Sequence, residues 1–303
     1  MEGALWLEER RKGIGGSDVA AIMGISPWKT AYQVYQEKRK EVKDWEGNEI
    51  TEWGKRMEPA IRQWYSDKTG RSVRLPEKIL FSQEHPFMFA SMDGYTDDRR
   101  VVEIKTARYG KGWGEPETNQ IPDYYMVQVQ HYMIVTGFEV ADVPVSIGGG
   151  SPELYIVPAD AELQTLIIEA CAEFWQRVVD GNPPPLVSYA DAVQKFGRSI
   201  TQGAVVAPDD AIAAVDELRT VREQKDVLEA KEEEIKGKLI ITLGDAGDIL
   251  VDSFGNILAT YKISKGRVTV DQKALQKEMP EVYLKYLRTG EPSRRFLLKE
   301  KIS

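Results

Sequence analysis

From Tyr124 to Thr136 the chain is almost entirely apolar, at a length that suits a helix. A helix without a polar face has to be covered on all sides, so this segment belongs in a protein core. Strand-like segments lie on either side of it in sequence. Ser72–Leu75, Lys78–Ser82, Phe87–Tyr95 and Arg100–Thr106 precede it, and Val140–Ile147 and Glu153–Val157 follow, with a Gly148-Gly149-Gly150 turn between the last two. Strands enclosed between helices predict an α/β fold, a mixed central sheet flanked by helices.

The flanking helices carry their own signals. Ser17-Asp18 starts a short helix through Met23, and Gly24 stops it. Thr30 caps a second helix through Tyr35. A third runs from about Glu49 to Thr69, with Ile50, Trp53, Met57, Ile61 and Trp64 at helical spacing and Gly70 as terminator. Pro59 inside it predicts a kink or a restart. Asp160 caps a helix to Val179. Phe87–Tyr95 and Arg100–Thr106 read as a hairpin closed around Thr96-Asp97-Asp98-Arg99.

With 303 residues and 42% apolar composition the chain can bury a substantial core. It has no apolar run long enough to span a bilayer. The start, Met1-Glu2-Gly3-Ala4-Leu5-Trp6, lacks a basic segment followed by an apolar stretch, so the expected location is the cytoplasm, with no membrane partner. The single cysteine, Cys171, excludes an intrachain disulfide and a four-cysteine iron–sulfur cluster, and its helical, apolar setting makes it a small core residue. A net charge of −8 argues against a general nucleic-acid coat, but a basic groove can coexist with an acidic exterior.

The hairpin carries the chemistry. Side chains alternate along a strand, so Val102 and Ile104 face the core while Glu103 and Lys105 emerge together, close to Asp93 across the hairpin. Two carboxylates and an ammonium converging this way suit phosphodiester hydrolysis. Oxygen ligands hold Mg²⁺, with Mn²⁺ as a substitute, and the backbone carbonyl of Ile104 is a further candidate ligand. Such an ion polarises the phosphate and acidifies a bound water, and a neighbouring lysine orients that water or stabilises the developing charge. A bare E-x-K is common and equally describes an ordinary surface pair. Near the N-terminus, Arg10-Arg11-Lys12-Gly13-Ile14-Gly15-Gly16-Ser17-Asp18 forms a candidate anion site: glycines for close approach, Ser17 at a helix start and an arginine beside it.

Taken in order, these segments resemble one family. Ser91-Met92-Asp93-Gly94 followed by Glu103-Ile104-Lys105 resembles the PD-(D/E)XK signature as phage-type exonucleases write it, with Met92 where proline is usual. Trp53-Gly54-Lys55-Arg56-Met57-Glu58, then Thr69-Gly70, resembles the family's helix that supplies an extra acidic residue. Tyr125-Met126-Val127-Gln128-Val129-Gln130 resembles its Q-x-Q helix, and the Arg10–Asp18 segment is similar to that of the YqaJ group. Together they cover roughly residues 10 to 137. The chain is therefore similar to phage lambda exonuclease and its YqaJ-type relatives.

The resemblance implies a restriction-endonuclease-like core. It implies that Glu58 joins Asp93, Glu103 and Ile104 at the metal, and that Gln128 joins the catalytic set with Lys105. It places the terminal 5′ phosphate at Arg10, Ser17 and Ser91. It also implies an exonuclease degrading one strand of linear duplex DNA from a 5′ end, which leaves a 3′ single strand for recombination. A single-strand annealing protein as partner and a homo-oligomeric ring such as a trimer come with it. Gln130 is read as structural, and His131 as a core or pocket-edge histidine. An endonuclease or a RecB-like repair nuclease with the same core is the alternative, and a non-catalytic DNA-end binder is a third reading.

Composition changes near Gly181-Asn182-Pro183-Pro184-Pro185. The expected organisation is a nuclease domain over 1–185, a linker over 186–207, and a long helix plus small α/β appendage over 208–303. In that appendage Leu218, Val221, Leu228, Ile235 and Leu239 share one heptad register, interrupted by Lys225 and Glu232. A hairpin is expected around Ser253-Phe254-Gly255-Asn256, then a helix from Asp271 to Leu287. Assembly or partner contact is the expected role.

Overall fold

The computed structural model describes residues 3–42, 47–198, 203–245, 247–288, 290 and 293–299. The expected linker's residues 199–202, together with Met1, Glu2 and the last residues of the appendage, lie outside them. The chain divides into two compact units, Met1–Lys195 and Phe196–Ser303.

The first unit begins with α1 (Gly3–Arg11), β1 (Ile14–Gly15), α2 (Gly16–Ile22), α3 (Ala31–Lys38) and α4 (Glu49–Thr69). It continues with β2 (Val73–Arg74), β3 (Leu80–Phe81), β4 (Met88–Ala90), β5 (Gly94–Thr96), β6 (Arg100–Val102) and β7 (Lys105–Ala107). It closes with α5 (Asp123–Thr136), β8 (Val140–Ile147), β9 (Glu153–Pro158), α6 (Ala161–Asp180) and α7 (Tyr189–Phe196). A six-stranded mixed sheet pairs β5 with β6 antiparallel, β6 and β7 with β8 parallel, and β9 with β8 antiparallel. Strands β1, β4 and β3 form a second, three-stranded sheet.

The middle of α5 is buried as its composition requires, Val127 through Met133 without exception. It covers one face of the large sheet, over Val101, Ala141, Val143 and Tyr155. α4 covers the other, where Ile61 and Tyr65 pack on Val102, Ile104 and Leu154. A third cluster joins α2, α3 and α6 and contains Cys171, fully buried. The large sheet lies between helices, as expected for the restriction-endonuclease-like class.

Several element boundaries depart from the sequence pattern. α4 runs without a restart through Pro59. Pro59 and Lys55 are both exposed, so the hydrogen bond that proline removes is lost on the outer side of the helix and not in the core. The apolar face is also narrower than its spacing suggested, since Ile50 and Trp53 are exposed. Phe87–Tyr95 is not one strand: the chain leaves the small sheet after β4 and enters the large one at β5. Apolar alternation persists through buried Met92 and cannot register a change of sheet. Arg100–Thr106 is interrupted at Glu103-Ile104, yet β6 and β7 keep one register on β8, Val102 opposite Asp142 and Lys105 opposite Val145. Within the expected linker, α7 forms and its buried Asp191 accepts from the Thr30 hydroxyl at 2.8 Å.

Asp142 fixes the sheet to α4. Fully buried, its carboxylate accepts from Tyr65 Oη at 2.6 Å and from two Arg100 nitrogens at 2.7 and 2.6 Å. Burial, ahead of the Asp142 bond, pushes the Tyr65 hydroxyl above its usual range.

The second unit consists of α8 (Asp209–Leu243), a hairpin of β10 (Ile249–Val251) and β11 (Ile257–Thr260), then α9 (Gln272–Glu278) and α10 (Pro280–Tyr286). The single helix expected from Asp271 is split because Pro280 opens α10, a position that proline favours. Val221, Leu228, Ile235 and Leu239 of the heptad register are exposed on α8.

Candidate active site

The interruption between β6 and β7 is where the chemistry-bearing residues gather. The Ile104 N–H donates to Asp93 Oδ2 at 2.8 Å, so a carboxylate stands where a strand partner would otherwise be. The Glu103 N–H still donates to the Asp142 carbonyl at 3.0 Å, which keeps the register. Side chains alternate through the break as expected. Val102 and Ile104 face α4, while Glu103 and Lys105 face α5.

On that face three side chains satisfy one another. Lys105 Nζ donates to Glu103 Oε1 at 2.6 Å and to Gln128 Oε1 at 3.1 Å. Gln128 Nε2 donates to Glu103 Oε1 at 2.7 Å. Gln128 therefore locks both partners, and the buried amide of α5 has a reason to be there. Glu103 Oε2 is buried without a hydrogen-bond partner. Burial and then the Asp93 charge push the Glu103 carboxyl up to about 8. Burial also raises Asp93. For Lys105 burial acts downward, but Glu103 and Asp93 outweigh it and hold the ammonium above its ordinary value.

An orphaned carboxylate oxygen beside a second carboxylate that burial disfavours in its charged form fits a hard divalent cation, which would neutralise both. The donor set here is a pair. Among the described residues no group of three His, Cys, Asp or Glu comes together as a metal-holding cluster. Glu58 rides on α4 and does not form a group of three with the pair. It is near enough to feel it: after burial, the Asp93 charge is the largest influence raising its carboxyl. Gly54, one turn earlier, faces β7: a Cβ there would meet Thr106 Oγ1 at 3.4 Å, an ordinary contact distance.

The Arg10–Ser17 segment forms a second arrangement. Arg10 Nη2 donates to Ser17 Oγ at 2.9 Å, and Ser17 is exposed at the start of α2. The Arg10 guanidinium also lies 4.7 Å over the Trp6 ring. Beneath it is a buried pair that the sequence did not reveal. Lys38 Nζ donates to Asp18 Oδ2 at 2.7 Å and to the Arg10 carbonyl at 2.8 Å. Burial acts upward on Asp18, but Lys38 and Arg10 prevail and hold it well below the usual carboxylate range. The glycines serve protein packing: a Cβ on Gly13 would sit 2.6 Å from the Phe87 carbonyl oxygen, and one on Gly16 would sit 2.6 Å from the Tyr132 ring.

Tyr132 joins the two arrangements and was also missed. Its hydroxyl accepts from Gln128 Nε2 at 3.1 Å and donates to the Ser91 carbonyl at 3.2 Å, while its ring abuts Gly16. The signal was present in sequence, because Tyr132 follows Gln128 by one helical turn. Ser91 therefore lies where the chain passes from β4 towards Asp93, on the same tyrosine that the turn before Ser17 touches.

The two remaining polar residues of α5 are structural. Gln130 donates to the Pro158 carbonyl at 2.8 Å and accepts from the Asp160 N–H at 3.0 Å, which ties α5 to α6. His131 is fully buried with Nε2 3.0 Å from the Phe89 carbonyl, and burial depresses it to about 4. Its unfolded value is near 6.5. Between those values the unfolded chain binds the extra proton, so this stabilisation is complete above about pH 6.5 and is lost as pH falls through 4. It amounts to about 3 kcal/mol. Urea titrations at pH 7 and pH 4 should show His131→Gln losing less stability on acidification than the parent by about that amount. An unchanged pH difference would remove His131 from acid sensitivity.

Comparison with known proteins places these residues in context. The model of the YqaJ-like viral recombinase domain matches residues 5–139. Protein YqaJ of Bacillus subtilis (strain 168), which is uncharacterised, is 31% identical over 307 residues, covering 97% of this chain and 93% of the relative. Among solved structures, an alkaline exonuclease from Laribacter hongkongensis is similar over 59% of this chain and 94% of its own, at 19% identity and a TM-score of 0.49. A phage-related exonuclease from Haemophilus somnus 129PT is similar over 56% of this chain and 96% of its own, at 14% identity and a TM-score of 0.42.

Proposed function

The chain belongs to the YqaJ-like viral recombinase family, and from that premise we propose that it is a metal-dependent exonuclease acting on the ends of linear double-stranded DNA. The observation that carries the reading is the Glu103–Lys105–Gln128 trio, buried beside Asp93 at a strand break, with one Glu103 oxygen unsatisfied. A buried carboxylate oxygen without a partner, next to a second carboxylate, is a place where a cation would be accommodated.

Asp93 and Glu103 would hold Mg²⁺ or Mn²⁺, with the Ile104 carbonyl and, from the α4 side, Glu58 completing the set. The chemistry such an ion supplies is polarisation of the phosphate and a lowered pKa for bound water. Lys105 orients the attacking water and takes up charge developing on the phosphate. Gln128 acts as a positioning residue, because both of its polar atoms are spent on Glu103, Lys105 and Tyr132. Arg10, Ser17 and Ser91 receive the terminal 5′ phosphate, so the strand is degraded 5′ to 3′ and a 3′ single strand remains. That product suits recombination in the cytoplasm with a single-strand annealing protein, from a ring-shaped homo-oligomer. The exposed apolar stripe of α8 is a candidate for that assembly.

No helix among the described residues is long and apolar enough to cross a membrane. The decisive experiment is digestion of end-labelled linear duplex in Mg²⁺ beside a closed circular duplex. Mononucleotides should leave the linear substrate from its 5′ end, and the circle should survive. Cleavage of the circle would convert the reading to an endonuclease, and release from the 3′ end would reverse the polarity.

A further inference from the structure

Beside Lys105 lies a run of aromatic rings that hydrolysis does not require. The Lys105 ammonium sits 4.7 Å over the Tyr125 ring. Tyr125 meets Tyr124 at 4.5 Å between ring centroids, and Tyr124 meets Trp28 edge to face at 4.8 Å. On the inner side Trp113 lies 5.7 Å from Tyr125 and 5.0 Å from Tyr155, which is fully buried. The run starts in the core, passes the lysine and ends at Trp28, which is 68% exposed.

Packing accounts for the inner rings, since Trp113 and Tyr125 cover the core cluster under α5. It does not account for Trp28. The Ser26 hydroxyl accepts from the Trp28 and Lys29 N–H groups at 3.2 and 3.3 Å, which fixes the turn that presents the indole at the surface.

We propose that Trp28, Tyr124 and Tyr125 form a stacking platform for an unpaired nucleobase of the strand being cut. The inference rests on the nuclease reading only in placing the scissile phosphate at Lys105. A nucleotide whose phosphate is held there brings its base within reach of Tyr125. Every base has a π face, so aromatic rings bind bases without regard to sequence, as an enzyme that digests arbitrary DNA requires. A terminal nucleotide has to leave its pair before its phosphate reaches buried carboxylates, and a platform offsets part of that unpairing. A protein occupant fits poorly, because the rings are continuous with Lys105 and a partner seated on them would close the site.

The test is binding without cleavage, in Ca²⁺, to two 5′-phosphorylated duplexes with a terminal 2-aminopurine, one paired and one mismatched. The full-length protein should bind the mismatched end more tightly and quench the 2-aminopurine. Trp28→Ala should lose about 5- to 100-fold in affinity for the mismatched end, and most of the quench, with a much smaller loss on the paired end. Trp28→Phe should restore both signals. Equal losses on both ends, or a quench unchanged in Trp28→Ala, would overturn the platform. Failure of the parent protein to digest linear DNA in Mg²⁺ would instead count against the nuclease reading, and the stacking signals would still be measurable.

Discussion

Asp93→Asn is expected to leave a folded protein that releases nucleotides at least about 10³-fold more slowly than the parent in Mg²⁺. The amide oxygen can still accept from the Ile104 N–H, so the bond that closes the strand break survives and only the charge is lost. Glu103→Gln should be as damaging, although it keeps an acceptor for Lys105. Lys105→Ala should also abolish turnover, by a different route. It removes the ammonium that would orient water and take up charge on the phosphate, but leaves both carboxylates in place, so metal binding should be retained while chemistry is lost. Isothermal titration with Mn²⁺ alongside turnover separates the variants: weak binding for Asp93→Asn, retained binding without turnover for Lys105→Ala. Near-normal turnover of Asp93→Asn in Mg²⁺ would show that hydrolysis takes place elsewhere.

Arg10→Ala is expected to erase most of the preference for 5′-phosphorylated over 5′-hydroxyl ends. A charge-assisted contact of this kind contributes roughly 1.5–3 kcal/mol, so the rate on phosphorylated ends should fall by about one to two orders of magnitude. The rate on hydroxyl ends, where the contact is already missing, should change little. The local architecture supports this selectivity. Arg10 and Ser17 already share a 2.9 Å bond that an incoming phosphate can replace with contacts to both. The Lys38–Asp18 pair below holds the Arg10 backbone, so loss of the side chain should not collapse the turn. Rates for parent and variant on the two substrates decide the matter. The same fractional loss on both would make Arg10 a general DNA or structural contact.

The arrangement of helices was largely legible in sequence, because caps and terminators are local. Thr30, Asp160 and Gly70 end or begin helices where their chemistry says they should. The pairing of Glu103 with Lys105 was legible too, from strand alternation alone. What sequence could not reveal depends on distant partners. Asp18 and Lys38 are separated by a helix and a turn, and Asp142 meets Tyr65 across the sheet from another layer. Neither pair has a period or a spacing of its own. The switch of sheets at Ser91-Met92-Asp93 was hidden for a related reason: both sheets ask for the same apolar alternation. Glu58 was carried by resemblance; it rides on α4, near enough to the strand break for the Asp93 charge to raise its carboxyl.

The strand break also constrains how this protein can vary. β6 and β7 hold one register on β8, so the segment between Val102 and Lys105 is fixed in length rather than merely in composition. Adding or removing a single residue there would break the common register on β8 or turn Lys105 to the α4 face, away from Glu103 and Gln128. Drift in this stretch is therefore confined to exchanges of side chains, and a frame-preserving indel would be lethal to activity even where the fold tolerates it. Loop 108–122, which joins the same strand to α5 without regular structure, is held in another way, by the Glu117 N–H on the Leu154 carbonyl at 2.7 Å and the Ile156 N–H on the Thr118 carbonyl at 2.9 Å. Changes of length between related chains should be absent from the two residues that interrupt the strand.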